Sequence, residues 1–160
     1  MMVRTYMIAA ACAAVVMVSP TAFAQGQFGT ADEAKAMLVK AAAAVKADKT
    51  KALDLINKGE GGYLDRDLYA YCFELSDDGK ILAVGSNNAK LNLGKDVRAL
   101  KDATGKVIGP ELHAAAQKPE GQFTEVSYMV PRPGADKTPV PKVSFVTKVS
   151  DLGCGVGYYK

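Results

Sequence analysis

The stretch from Tyr63 to Asp102, YLDRDLYAYCFELSDDGKILAVGSNNAKLNLGKDVRALKD, constrains the fold more than any other part of the chain. Leu68 to Leu75 and Lys80 to Val84 alternate apolar and polar residues, the period of a half-buried strand. Asp77, Asp78 and Gly79 lie between them, residues that tolerate the positive φ of a tight hairpin turn. A polar, asparagine-rich loop follows. Nothing in the stretch resembles a catalytic motif; it reads as one end of a small antiparallel sheet.

The N-terminus indicates a compartment. Arg4 supplies a positive charge, and Met7 to Val18 form an apolar run of about a dozen residues, short for a bilayer span. Ser19 and Pro20 break the run, and Ala22-Phe23-Ala24 gives the small-x-small pattern of a signal-peptidase site. Residues 1–24 are therefore expected to be a signal peptide cleaved after Ala24, and residues 25–160 a single exported domain, periplasmic or secreted. A domain of that length buries roughly two thirds of its unfolded surface, enough for a core. No other apolar run is long enough for a second anchor. The net charge of +3, with 20 basic and 17 acidic residues, lacks the concentrated basic face of a nucleic-acid binder.

Of three cysteines, Cys12 falls in the leader. Cys72 and Cys154 remain, an even count that in an oxidising compartment favours a disulfide over two separate buried thiols. Their spacing is far from C-x-x-C, and no histidine stands near either, so neither a redox centre nor a zinc or haem site is expected.

Thr30 and Glu33 form a capping-box pattern, and Ala34, Leu38, Ala41, Val45, Ala52 and Ile56 recur at helical spacing up to Gly59. Asp48-Lys49-Thr50 interrupts that stripe and either kinks the helix or divides it. The alanine-rich face suits core packing, and also close pairing between subunits. A second helix is expected from Pro110 through Gln117. Phe123 to Val130 and Lys142 to Val149 read as a second hairpin with a long Pro- and Gly-containing connection, and Gly155 to Tyr159 as a last strand. The order of elements is that of an α+β fold on one antiparallel sheet.

Tyr63-Leu-Asp-Arg-Asp-Leu-Tyr69, then Asp78-Gly79 and Asn87 to Gly94, resemble the single Cache domains of bacterial extracytoplasmic sensors. Leu100-Lys-Asp-Ala-Thr-Gly105, Lys142-Val-Ser-Phe-Val146 and the ending Cys154-Gly-Val-Gly-Tyr-Tyr159 follow in the same order. The resemblance implies a PAS-like fold, with a long N-terminal helix packed on a five-stranded antiparallel sheet. It implies a ligand pocket between the concave sheet face and the loops linking the second and third strands. It also places the first and fifth strands side by side, bringing Cys72 within bonding reach of Cys154. The family binds small extracellular molecules, often short organic acids or amino acids, usually within histidine kinases and chemoreceptors. The sequence ends at Lys160 directly after the last strand, without a transmembrane helix or output domain, so a sensing role is expected to need a membrane partner or a carrier mechanism.

Candidate ligand residues follow from chemistry. Tyr69, Tyr71 and Phe73 share one strand face, with Ala70 and Cys72 on the other; the aromatic face suits a small ligand with an apolar body, or core packing. Tyr128 lies on the third strand. Arg132, between Pro131 and Pro133, is either a preorganised guanidinium for a carboxylate or a solvated loop residue. Lys142 matches a basic position that the resemblance implies; pointing inward it complements a carboxylate, and otherwise it is a strand-end lysine. Asn87 and Asn88 either orient the pocket loop or make local turns. His113 stands alone and is assigned no role. No cofactor, metal site or catalytic residue is expected: G-x-S-x-G, H-E-x-x-H and P-loop patterns are missing, and the acidic clusters Asp65/Asp67 and Asp77/Asp78 lack a full set of calcium ligands. The expected role is noncovalent capture of a small carboxylate-bearing metabolite. The alternative is a ligand-free interaction module that modulates a membrane signalling partner through the alanine-rich helix.

Overall fold

A computed structural model describes residues 26–160; the expected leader and its cleavage site lie outside them. The alanine-rich stripe forms two helices, α1 (Ala31–Ala47) and α2 (Lys49–Lys58). The Thr30–Glu33 capping box is present. Of the kink and the division left open by the sequence, the structure has the division, at Asp48, which serves both pieces. Its backbone N–H donates to Ala44 O at the end of α1, and its side chain accepts from Lys51 N at the start of α2. Helix α2 stops at Gly59, which is in the left-handed region (φ 68°). Asp48→Ala removes the α2 cap and is expected to lower stability by about 1 kcal/mol in a urea titration.

The strands are β1 (Leu64–Asp65), β2 (Leu68–Glu74), β3 (Ile81–Val84), β4 (Thr124–Pro131), β5 (Pro139–Val149) and β6 (Leu152–Tyr159), with helix α3 (Gly109–Ala116) between β3 and β4. They make one antiparallel sheet of order β1-β2-β6-β5-β4, with β3 also paired to β2. The sheet has six strands rather than the expected five. The additional strand is the two-residue β1, folded back onto β2 through Arg66 (φ 54°), and two residues are too few to carry a periodic signal. The β4–β5 connection is shorter than expected because pairing continues to Pro131↔Pro139.

Period-two alternation sorts the sheet between two cores. Ala70 and Cys72 on β2, with Leu152, Cys154 and Val156 on β6, face α1 and α2 and meet Leu38, Ala41, Val45 and Ile56. Phe73 faces the other way and packs with Ile81, Val97, Ile108, Leu112 and Val146. β2 and β6 are neighbours, with Cys72 directly opposite Cys154, and the two are bonded (S–S 2.09 Å) within the helix-side core. Among the described residues no helix is long and apolar enough to cross a membrane.

Candidate functional site

The sheet face turned away from α1 and α2 is lined by glycines where β6 crosses it. Gly153, Gly155 and Gly157 alternate with Leu152, Cys154 and Val156, so all three present no side chain on this face. A Cβ at Gly155 would lie 2.5 Å from the Tyr71 hydroxyl oxygen, and one at Gly153 2.5 Å from the Phe73 ring. At Gly157 it would lie 2.9 Å from Lys142 Cε and 3.0 Å from Tyr128 Oη. The missing side chains let the aromatic rings and the lysine of neighbouring strands lie flat across β6. Above these side chains, between the sheet and the loops, there is room.

That room is a cavity in two connected parts. The inner part, about 130 Å³, is bounded by Tyr69, Tyr71 and Tyr128 from the sheet and by Ile81, Leu100, Ile108 and Leu112 beside it. It shares Tyr69, Ala89, Asn92, Tyr128 and Val130 with an open outer cleft of about 640 Å³, whose walls include Asp67, Arg132, Lys142 and Tyr159. The loop wall is fastened by Asp102, one residue beyond the cavity-lining Lys101. Its carboxylate accepts from Thr104 N and Oγ1, Lys106 N and Met129 N at 2.7–3.0 Å. These donors, Thr104 foremost, hold the Asp102 carboxyl below the usual carboxylate range.

The chemistry is concentrated at the junction of the two parts. Lys142 is 3% exposed, and its Nζ lies 4.9 Å from the Tyr69 ring centroid and 4.4 Å from that of Tyr159. Burial pushes its ammonium down to about 8, with the charge of Asp67 opposing the shift. Among the described residues it has no ion pair. Arg132 is clasped between Phe28 and Tyr159, its guanidinium carbon 4.3 and 4.9 Å from their centroids, and donates to Lys160 O at 3.2 Å. Tyr128 and Ser144 share a hydrogen bond at 2.8 Å. The buried Tyr71 hydroxyl has no well-formed hydrogen bond among the described residues, although Ser144 lies near enough to act on it. Burial raises the hydroxyls of Tyr69, Tyr71 and Tyr128, and pushes that of Tyr159 up to about 12, so all four are neutral donors at physiological pH.

Of the residues singled out in the sequence, Tyr69, Tyr71, Tyr128, Arg132 and Lys142 come together around this cavity. Two do not line it. Phe73 is completely buried and stacks beneath Tyr71, centroids 6.3 Å apart, because Gly153 gives its ring a place in the core instead. Asn87 is exposed at the start of a 3-10 turn (Asn87–Asn92), and it is Asn88 and Asn92 that reach the cleft wall. Asp67 and Tyr159 were not foreseen as cleft residues. The signal available for this face was the Gly-x-Gly-x-Gly period of β6, which marks a strand face kept clear. The arrangement holds a neutral, hydroxyl-tipped aromatic chamber with cations at its mouth. Among the described residues no cluster suited to a metal ion is present.

The sequence model of the family described as Single Cache domain 2 matches residues 22–159. Three solved structures share the fold. A periplasmic sensor domain of a chemotaxis protein is 22% identical, with 80% of this chain and 88% of that one covered at a TM-score of 0.56. A methyl-accepting chemotaxis protein from Vibrio parahaemolyticus RIMD 2210633 is also 22% identical, with coverages of 80% and 86% and a TM-score of 0.58. A Cache chemosensory domain whose description is of carboxylic acid recognition is 21% identical, with coverages of 80% and 91% and a TM-score of 0.58. No curated protein is similar enough to count as a relative.

Proposed function

This chain belongs to the single Cache domain 2 family, a family of extracytoplasmic ligand-sensing domains, and on that premise we propose that it captures a small carboxylate-bearing metabolite, noncovalently, in the cleft described above. Lys142 and Arg132 receive the carboxylate, and Tyr69, Tyr71 and Tyr128 enclose the body of the ligand. Phe73 supports this wall from below, and Asn87 begins the turn that covers it. The captured state is presented to a membrane chemoreceptor or sensor kinase.

The observation that carries this reading is Lys142. An ammonium 3% exposed and without an ion pair is unfavourable unless something supplies a negative charge. The two tyrosine rings compensate it only in part. Its position on the cleft wall makes a ligand carboxylate the natural counter-charge. The carboxylic acid recognition described for one fold relative supports the same reading without determining it.

A panel of short organic and amino acids tests the proposal. A binder held at a hundredfold above its Kd is expected to stabilise the protein by about 2.7 kcal/mol, read as a raised melting temperature. The shift should be lost in Lys142→Ala and weakened in Arg132→Ala. If no acid in the panel moves the melting temperature or gives heat in calorimetry, the proposal fails. Gly157→Ala gives a geometric check: its methyl would lie 2.9–3.0 Å from Lys142 Cε, Ser144 Oγ and Tyr128 Oη, and so press on the hydrogen-bonded Tyr128–Ser144 pair as well as on the lysine. Affinity should fall roughly tenfold, and the unliganded melting temperature should fall as well because the buried Ser144 has to shift.

A further inference from the structure

Arg66 and Asp67, the two residues between β1 and β2, hold the segment that precedes α1. Arg66 Nη1 donates to the carbonyls of Gly26 and Phe28, each at 3.1 Å. Its guanidinium is itself fixed by Asp65 and by Glu33 in the first turn of α1, at 2.7 and 2.8 Å. The buried Asp67 carboxylate accepts from Gly29 N at 2.6 Å. Gly29 runs so close to β2 that a Cβ there would stand 2.2 Å from Leu68 Cγ. A segment outside the first helix stays ordered only when something ties it down. Here the Asp65-Arg66-Asp67 cluster does so.

The large side chain of this strap, Phe28, is directed at Arg132. The Arg132 guanidinium carbon lies 4.3 Å from the Phe28 centroid and 4.9 Å from that of Tyr159. The two rings stand at 65° with centroids 6.3 Å apart, so they form a corner in which the cation sits. Tyr159 is held in place by its hydroxyl, which donates to Pro131 O at 2.6 Å; Phe28 is held through the strap. Arg132 lines the outer cleft, whereas Phe28 stands behind it. Ring contacts hold a guanidinium by its charge and its flat surface and consume no N–H. Arg132 donates to Lys160 O and makes no ion pair among the described residues. Its other donors remain for a bidentate acceptor. The Tyr159 ring also meets Lys142 Nζ, at 4.4 Å, so one ring joins the two cations of the cleft.

We infer that the segment Gly26–Gly29 is part of the binding site, with Phe28 as a positioning residue that holds the Arg132 guanidinium in place for an incoming carboxylate. The inference rests on the carboxylate capture proposed above and concerns how Arg132 is held, not which acid is bound. A loose arginine loses its rotamer freedom when it binds, and a ring that has already fixed it removes that loss. The coupling is reciprocal. An anion that settles on Arg132 tightens the strap in turn, so occupancy is felt at Gly29, directly before the Thr30 cap of α1.

The test is calorimetric titration of the purified protein with acetate, propanoate, succinate, glycine and alanine, the variants then being titrated with whichever of these binds most tightly. Phe28→Ala should weaken binding by ~5-fold to ~10-fold, and Phe28→Tyr, which keeps the ring, should stay within ~2-fold of the unsubstituted protein. Phe28→Leu, apolar but without a ring, should behave as Phe28→Ala and decides the matter if that variant does not fold. On an Arg132→Ala background, Phe28→Ala should cost less than a further ~2-fold, because it acts through Arg132. Hydrogen exchange at Gly29 N–H should slow when the acid is added to the unsubstituted protein, and not in Phe28→Ala. A loss of the same size with and without Arg132 would overturn the inference by making Phe28 a support for the fold alone. Unchanged or tighter binding in Phe28→Ala would overturn it as well. In either case, binding that is still abolished by Lys142→Ala leaves carboxylate capture standing. If none of the five acids binds, capture itself fails and the inference falls with it.

Discussion

Replacing Lys142 with methionine is expected to weaken carboxylate binding by about 2–5 kcal/mol, roughly thirtyfold to several-thousandfold, and at the same time to make the unliganded protein more stable at neutral pH. The two effects have one cause. Burial pushes the Lys142 ammonium from 10.5 down to about 8, so folding disfavours the charged form. In the unfolded chain the group keeps its ordinary value. Below pH 8 the lysine is charged in both states, and the full penalty applies, of the order of 3 kcal/mol. Between pH 8 and 10.5 the unfolded chain binds a proton that the folded chain does not, so stability contributed by this site rises with pH. Methionine has nearly the same length and no charge, and its thioether packs well against the rings of Tyr69 and Tyr159. The stability advantage of Lys142→Met should therefore be largest near pH 7 and close as the pH approaches 10. Denaturant titrations of both proteins at several pH values measure it. An Lys142→Met protein that is less stable at pH 7 would show that the ammonium already has a satisfactory partner in the unliganded state.

Binding carries the opposite pH sign. Capture of an anion needs the ammonium, so affinity should be flat between about pH 6 and 7.5 and fall by up to tenfold per unit above about 8. A group that destabilises the empty domain and is neutralised by ligand is a means of coupling occupancy to rigidity. On the proposed capture, an occupied cleft would lose its uncompensated charge, and the strands that hold it should become harder to open.

The parts legible in the sequence were those written in a repeating pattern. The capping box at Thr30 and Glu33, the helical apolar stripe and the alternation through Leu68–Glu74 all carried their own period, and they appear in the structure as read. Strand β1 was not legible, because two residues contain no period and its pairing depends on Arg66 turning the chain back. The division of the first helix was ambiguous until Asp48 was seen to cap both sides. Alternation put Tyr69, Tyr71 and Phe73 on one face, and they share it in the structure; it did not say how deep each ring lies, and Phe73 lies in the core below the cavity. The depth of a side chain depends on what the neighbouring strand leaves vacant, here Gly153. Asp67 went unrecognised as a cleft residue for a related reason. Next to Arg66 it looks like half of a solvated charge cluster, yet Arg66 turns to the N-terminal segment and Asp67 turns inward.

Breaking the Cys72–Cys154 bond, by replacing both cysteines with alanine, is expected to lower stability by about 4 kcal/mol, the loop-closure entropy of the 82 residues the bond spans. Small domains hold only about 5–15 kcal/mol in total, so the loss is a large share and should lower the melting temperature by roughly 10–20 °C. The bond joins β2 to β6, the pair that holds the middle of the sheet and whose partners lie far apart in sequence. Without it, that pairing must form against the full entropy of the intervening chain. Both cysteines are completely buried against α1 and α2, which separates stability from ligand recognition: the cavity lies on the other face. At a temperature where the alanine variant is folded, ligand affinity should stay within about threefold of the unsubstituted protein. Burial also predicts that a mild reductant leaves the folded protein crosslinked and breaks the bond only once denaturant opens the sheet. Melting scans of the double variant, and thiol counting with and without urea, check both statements. A double variant that melts within about 3 °C of the unsubstituted protein would show that strand pairing and the helix-side core define the sheet unaided.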